Sequence, residues 1–443
     1  MTRSVLDVAV VGAGPAGLLA TRRLAEAGAD FRVFERHTDV GGIWDIDAPG
    51  SPMYETAHFI SSRTLSGFPG FPMPEAYPDY PHHREILEYI RAYADHHDLR
   101  RHISFGTEVR RAARGDEGWQ LELGDGEQVR ARYLICANGV TWDPVEVTWP
   151  GDSTIEVRHS RDYRSPSELA GRRVLVVGAG NSGVDIACDA AFAADAAFIS
   201  VRRGYHVIPK HVMGVPADVF AARGPKLPHL LERWVFEGLL RIVVGDLRRY
   251  GLPRPDHHVF ETHPILNSQL LHYLAHGDCV AKPDVVRLDG DEVVFADGSR
   301  ERIDLVITAT GYRHSVPYLD PPLDTRSGSD LYLQVFPRTR DRIALLGFPE
   351  FASAAYATFD EAAELIVADA TAPDGSPLRR EMDELRRHHR PDLQGGRRYL
   401  NSPRHADYVD GGTYRAVLRE VKRRIGLTQR RAGTVAAPVG TVA

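Results

Sequence analysis

Val10-Val11-Gly12-Ala13-Gly14-Pro15-Ala16-Gly17 and Val176-Val177-Gly178-Ala179-Gly180-Asn181-Ser182-Gly183 are the two stretches that decide the fold. Each closes an apolar strand, Leu6 to Val11 in one case and Val174 to Val177 in the other, and opens a helix. In a G-x-G-x-x-G turn the first glycine (Gly12, Gly178) permits the tight turn. The second (Gly14, Gly180) lets backbone approach a pyrophosphate, and the third (Gly17, Gly183) packs helix on strand. The helix N-terminus adds free N–H groups and the positive end of a dipole. Pro15 suits the first helical turn, where its missing N–H costs little. A tight turn without a ligand is the alternative for either copy. Two copies, each behind a strand, predict two dinucleotides on one chain, the arrangement that hydride transfer between cofactors requires.

The second strand of each unit separates the two ligands. Phe31-Arg32-Val33-Phe34 ends in Glu35, whose carboxylate can accept hydrogen bonds from an unmodified ribose. Phe198-Ile199-Ser200-Val201 ends in Arg202-Arg203, and a guanidinium there can clamp a 2′-phosphate bidentately. The first site therefore fits FAD or NAD, and the second fits NADP. Two solvated charges at a strand end are the alternative for the arginine pair.

A chain of 443 residues has room for two or three domains with their own cores. With 54 basic and 60 acidic residues, a net charge of −6 and no basic cluster, nucleic acid is not an expected partner. Leu230 to Val244 is the nearest approach to a membrane span, and Glu232, Arg233, Glu237 and Arg241 interrupt it. Met1 leads straight into the first strand and Asp7 breaks any signal-peptide core, so a cytoplasmic protein without a membrane anchor is expected. Cys136, Cys188 and Cys279 form no C-x-x-C pair and read as small buried thiols. Electrons must then leave for oxygen, a small acceptor or a partner protein. His272 and His276 have a metal-like spacing but no third ligand nearby, so no metal is expected.

Residues 36–83 are loop-rich, with prolines and glycines recurring from Gly50 to Pro81. Arg84 to Asp98 reads as a helix with Ile86, Leu87, Ile90 and Tyr93 on one face. Trp119–Leu123 and Gln128–Ile135 alternate around Gly124-Asp125-Gly126, a hairpin signal. Short strands with Asp-Gly turns run from Val285 to Thr308, and the end from Gly426 is small and aperiodic.

Taken in order, Gly12–Gly17, Gly41-Gly42-Ile43-Trp44, Tyr80-Pro81 with His83-Arg84, His159-Ser160-Arg161-Asp162-Tyr163, Gly178–Gly183 with Arg202-Arg203, and Ala309-Thr310-Gly311-Tyr312 resemble the flavin-containing monooxygenases, a family of class B flavin-dependent monooxygenases. The resemblance runs from about residue 5 to residue 425. It implies an α/β chain of two Rossmann-like dinucleotide-binding domains, FAD in the first and NADPH in the second, with the NADP domain inserted into a discontinuous FAD domain. The boundaries it suggests are 1–167 and 279–425 for the FAD domain, 168–278 for the NADP domain, and a flexible tail over 426–443. It places Gly42, Ile43, Trp44 and His83 at the flavin, Glu35 and Arg36 at the ribose end, and the Val109 backbone at the adenine. His159 to Tyr163 matches an H-x-x-x-Y fingerprint that bridges the domains, and Thr310-Gly311 returns the chain to the FAD domain.

The implied activity is oxygenation of a soft nucleophile (N- or S-oxidation, or N-hydroxylation of a small molecule) through a flavin C4a-(hydro)peroxide formed from O2. A Baeyer–Villiger monooxygenase and an NADPH-dependent reductase serving another acceptor are the alternatives. Tyr163 stands where Baeyer–Villiger enzymes usually carry tryptophan. A homodimer is compatible with this family. Two departures are visible. Ser153 and Ile155 replace the aromatic and glycine that normally precede the fingerprint histidine. Phe59-Ile60 replaces the Thr-Asn pair whose asparagine supports the oxygenated flavin, leaving His58, Ser61 and Ser62 as the nearby polar candidates for a catalytic role.

Overall fold

The computed structural model describes residues 5–224, 229–327, 330–352, 354–400, 402, 405–406 and 408–427. Two sheets organise them. In the first the strands run in the order Leu319–Asp320, Val109–Gly115, Gly118–Leu123, Gln128–Cys136, Leu6–Val11, Phe31–Phe34, Ile103–Ser104, with Ile343–Leu345 also pairing Gln128–Cys136. Val10 lies between Val33 and Ile135, all in parallel register. The central strand is apolar almost throughout because both its faces are covered. Val8 and Val10 pack with Leu18 and Leu19 of the helix Pro15–Glu26 and with Ile366 of the helix Tyr356–Thr371. Ala9 and Val11 face Leu121, Leu134 and Ile343.

The second sheet has five strands in the order Cys279–Lys282, Ala196–Ser200, Arg173–Val177, Leu305–Thr308, Glu156–His159, every neighbour parallel. One face carries the helix Asn181–Ala193. The other is covered by a small antiparallel sheet, Val285–Asp289, Glu292–Phe295 and Arg300–Arg302, through Leu288, Val293 and Phe295. These are the short strands expected between Val285 and Thr308. The chain enters this sheet at Glu156, leaves it after Thr308 and rejoins the first sheet at Leu319. The second unit is thus inserted into the first.

The boundaries drawn at 167/168 and 278/279 do not follow the strand pairing. Glu156–His159, Cys279–Lys282 and Leu305–Thr308 all belong to the second sheet. The physical reason is that Arg173–Val177 and Ala196–Ser200 are buried on both faces and need parallel neighbours on either side, which only sequence-distant strands supply. Of the tail expected over 426–443, residues 428–443 lie outside the described residues.

The helix predicted from Arg84 runs from His83 to His96, opened by a capping box in which the His82 amide donates to Glu85 Oε2 at 2.8 Å. The predicted hairpin pairs Trp119 with Ala131, with Gly126 at φ 87° in its turn. Cys136, Cys188 and Cys279 are free and buried, and burial pushes the Cys136 and Cys279 thiols up to about 12. No helix among the described residues is long and apolar enough to cross a membrane.

Candidate cofactor sites and the segment between them

Both glycine turns are built alike. At the first, Gly12 has φ +105° and its N–H donates to Phe34 O at 2.8 Å. A Cβ on Gly12 would overlap the carbonyl oxygen of Ala137, and one on Gly17 would overlap that of Gly12. At the second, Gly178 has φ +109°, and a Cβ there would stand 2.6 Å from Ala309 O. A Cβ on Gly183 would in turn overlap Gly178 O. Close backbone packing therefore requires glycine at four of these positions. Ala137-Asn138-Gly139 and Ala309-Thr310-Gly311 occupy the same place in the two units, each just past the strand that backs the turn, with Gly139 at φ 77° and Gly311 at φ 87°. This Ala-x-Gly repeat extends the glycine-turn repeat by a third element. Within it, Thr310 donates its hydroxyl to Val145 O at 2.6 Å, and the Val145 amide donates to Gly311 O at 2.9 Å.

Gly14 differs from its neighbours. It is the N-cap of the first helix in extended backbone (φ −72°, ψ −177°), followed by Pro15. A Cβ on Gly14 would sit 3.4 Å from Gly42 Cα, an ordinary contact, while one on Gly42 (φ +60°) would sit 3.0 Å from Gly14 Cα. The Gly42–Trp44 turn thus comes within van der Waals range of the first glycine turn. Gly347 (φ +90°) closes on the same helix start, since a Cβ on it would lie 2.9 Å from Ala16 Cβ. Gly347 escaped the sequence reading; a glycine just past the buried strand Ile343–Leu345 was its signal.

The Glu35 carboxylate is buried and accepts from the Ala13 amide at 2.6 Å and the His37 amide at 2.9 Å. Each oxygen has spare lone-pair capacity for a further donor. Arg36 lies over Trp142, 4.1 Å from the ring centroid, and burial lowers its pKa. Arg36, His37, Thr107, Glu108 and Arg110 line an open cleft of about 450 Å³. Val109 is buried at the start of its strand beside this cleft.

Trp44 meets Phe59 edge-on at 5.1 Å, Phe59 leans on Tyr356 at 5.9 Å, and Phe68 stacks on Tyr356 at 4.7 Å. His83 is fully buried on the helix that packs against this turn; no side chain bonds either ring nitrogen, and the Trp44 backbone is the polar group beside the ring. Burial, with His82 and Arg84 nearby, lowers its pKa to about 4. Ile60, at the position of the expected asparagine, is 36% exposed, and of the Phe59-Ile60 pair only Phe59 joins the aromatic wall.

The three polar candidates are not equivalent. His58 is exposed, with Nδ1 2.8 Å from Thr56 O and its ring against His82. Ser61 Oγ accepts from Ser66 Oγ at 2.8 Å. Ser62 is fully buried; its amide donates to Asp218 Oδ2 at 2.7 Å, and its hydroxyl has no partner.

At the second site Arg202 and Arg203 are both exposed. Arg203 pairs with Asp256 at 3.1 Å, whereas Arg202 makes no ion pair among the described residues. In the fingerprint, His159 Nδ1 accepts from the Arg161 amide at 3.0 Å, its ring meets Tyr312 at 5.2 Å, and burial lowers its pKa. Tyr163 is fully buried and donates to Asp189 Oδ2 at 2.9 Å. Asp185 and Asp189, on the helix of the second glycine turn, were not singled out from the sequence. Their signal was two carboxylates four apart in an otherwise apolar helix.

Known proteins share the sequence pattern and the fold of this chain. A model of the flavin-binding monooxygenase-like family matches residues 6–369. The chain is 30% identical to mouse (Mus musculus) flavin-containing monooxygenase 5, over 91% of this chain and 80% of that protein. It is 30% identical to human (Homo sapiens) flavin-containing monooxygenase 3, over 85% of this chain and 76% of that protein. The crystal structure of cyclohexanone monooxygenase from Rhodococcus sp. Phi1 bound to NADP+ superposes with a TM-score of 0.68 at 19% identity, covering 95% of this chain and 98% of that one.

Proposed function

This chain belongs to the flavin-binding monooxygenase-like family and is an FAD- and NADPH-dependent monooxygenase acting with O2, and we propose that its substrate is a small soft nucleophile oxygenated at an amine nitrogen or a sulfide sulfur. One observation carries the substrate reading. The wall at Trp44 is aromatic, and the buried imidazole beside it, with a pKa of about 4, is a poor base at neutral pH. A sulfide sulfur, or an amine in its free-base form, is oxygenated through a lone pair and needs no base in this wall.

The residues present fit both cofactors. Buried His83 stands at the Gly42–Trp44 turn with the Trp44 backbone beside its ring, so the imidazole has room for one further polar contact there. The Gly14–Gly42 approach forms a cradle that a bulkier side chain would fill. We therefore assign Gly12, Gly14, Pro15, Ala16 and Gly17 to the FAD pyrophosphate, Glu35 and Arg36 to its ribose, and Val109 to its adenine end. Gly42, Ile43, Trp44 and His83 hold its flavin end. Gly178, Gly180, Asn181, Ser182 and Gly183 hold the NADPH pyrophosphate, Arg202 with Arg203 its 2′-phosphate, and Thr310 and Gly311 back that turn. When bound, the pair supplies hydride transfer and oxygen activation. The protein binds, orients and excludes water. Of the three polar candidates, Ser62 has the buried, unpartnered hydroxyl suited to hydrogen-bonding within a closed site. We further propose that strands between 156 and 308 form the NADPH unit, with the segments on either side forming the FAD unit. Three free thiols support a cytoplasmic location.

The test uses purified holoenzyme with NADPH, offered amines, sulfides and ketones in turn, with oxygen uptake and products measured. N-oxides, hydroxylamines or sulfoxides are expected. Lactone or ester as the main product would mean a Baeyer–Villiger enzyme. NADPH oxidation only with an added acceptor, and no oxygen incorporation, would mean a reductase.

A further inference from the structure

The helix Asn181–Ala193 begins at the second glycine turn and carries Asp185 and Asp189 on one face, one turn apart. Two like charges in that relation on an apolar helix repel each other, and burial raises the pKa of both carboxyls. They are satisfied by donors from outside the helix. Asp185 accepts from Tyr54 Oη at 3.0 Å and Asn267 Nδ2 at 2.6 Å. Asp189 accepts from Thr56 Oγ1 at 2.6 Å and Tyr163 Oη at 2.9 Å. Tyr54 and Thr56 come from the loop of the first unit, more than 130 residues away in sequence. The same loop is tied to the residue just after the fingerprint by the Glu55 amide, which donates to Arg164 O at 2.7 Å.

Beyond Thr56 the loop leads directly to the first site. The His83 amide donates to Ala57 O at 3.0 Å, the Phe59 amide donates to Pro81 O at 2.8 Å, and the Phe59 ring meets Trp44. The path from the second glycine turn to the Trp44 wall is therefore one helix, two carboxylates and the loop from Tyr54 to Phe59.

We infer that Asp185 and Asp189 are positioning residues that hold segment 53–62 in register with the second glycine turn, so that dinucleotide occupancy there sets the place of Phe59 at Trp44. The inference rests on the reading of that turn as the NADPH site. Dinucleotide binding at the helix start restrains the helix, and the restraint reaches the loop through the two side-chain hydrogen bonds from Tyr54 and Thr56, beside the packing of Tyr54 and Ala57 against the same helix.

The test is amide hydrogen exchange of residues 53–62 in the FAD-loaded full chain, with and without saturating NADP+, alongside a direct measurement of NADP+ binding. In wild type, NADP+ should slow exchange in this segment about tenfold, a change that one hydrogen bond to a carboxylate can supply. Thr56→Val should bind NADP+ and show a smaller slowing, because only the Tyr54–Asp185 bond remains, whereas Thr56→Ser should keep it in full. Tyr163→Phe, which removes the other donor to Asp189, should reduce it. Slowing of wild-type size in Thr56→Val, or none in a wild type that binds NADP+, overturns the inference. A wild type that does not bind NADP+ overturns the cofactor reading beneath it, and the direct binding measurement tells these outcomes apart.

Discussion

Replacing Gly14 by alanine should separate folding from cofactor binding. Gly12 and Gly17 are unsuited to that purpose, because a methyl group at either would overlap backbone carbonyl oxygen and Gly12 also has φ +105°. Gly14 has extended backbone that any residue adopts, and its added Cβ would meet Gly42 Cα at 3.4 Å, an ordinary contact. The flavin-free variant should therefore unfold within about 0.5 kcal/mol of wild type. The same methyl group occupies the surface that the pyrophosphate must approach. Holding the phosphates back weakens one or two charge-assisted bonds, about 2–4 kcal/mol in all, or roughly 30- to 1000-fold in the dissociation constant. The assay has two arms. Flavin content and FAD titration of the apoprotein should show the loss, while urea unfolding without flavin should show an intact fold. Full flavin content with wild-type affinity would refute the assignment of the first turn to FAD. A large loss of flavin-free stability would refute the reading that Gly14 is spared by the fold.

Three further expectations follow from particular contacts. Arg202→Ala should raise the NADPH dissociation constant about 30- to 150-fold, from loss of about 2–3 kcal/mol of phosphate binding, and leave NADH unaffected. Arg203→Ala should cost less, because Asp256 already shares its charge at 3.1 Å; equal use of NADH and NADPH by wild type would remove the phosphate clamp altogether. Asp369 is fully buried and accepts from Tyr133 Oη at 2.8 Å, Arg379 Nη1 at 2.9 Å and Arg386 Nη2 at 3.0 Å. Asp369→Ala should cost about 3–5 kcal/mol in urea unfolding by leaving buried Arg379 without its counter-charge and Arg386 with only the longer contact to Asp341 at 3.5 Å, and an unchanged midpoint would contradict this. His83 is held neutral in the fold, its pKa lowered from 6.5 to about 4. The unfolded chain takes up that proton first as pH falls, so the contribution is complete above pH 6.5 and is lost between about 6.5 and 4. It amounts to about 3 kcal/mol. Flavin-free wild type should lose that much more stability than His83→Leu between pH 7.5 and 4, and parallel pH curves for the two would show that His83 is not buried neutral.

Much of this molecule is written in short stretches of chain. The two glycine turns are backbone requirements, met within six residues, so Gly12–Gly17 and Gly178–Gly183 were legible in the sequence before any contact was known. Glu35 and Arg202-Arg203 follow the second strand of each unit directly, so their place in the chain is equally local, while the nucleotide each meets is a proposal. The helix from His83 and the hairpin around Gly126 follow from periodicity and turn chemistry, which are also local. Tertiary structure decided the rest. The five-stranded second sheet borrows Glu156–His159 and Leu305–Thr308 from beyond the expected boundaries, and only pairing reveals that. Arg202 and Arg203 look equivalent in sequence, but Asp256, far along the chain, makes them unequal. His58, Ser61 and Ser62 likewise read alike, until the fold exposed the first, paired the second and buried the third. Asp185 and Asp189 acquire meaning from Tyr54, Thr56 and Tyr163, whose hydroxyls arrive from other segments. A turn or a strand is specified by neighbours in sequence. The partner of a buried carboxylate is specified by which distant segments the packing brings within about 3 Å of it, and no local pattern encodes that distance.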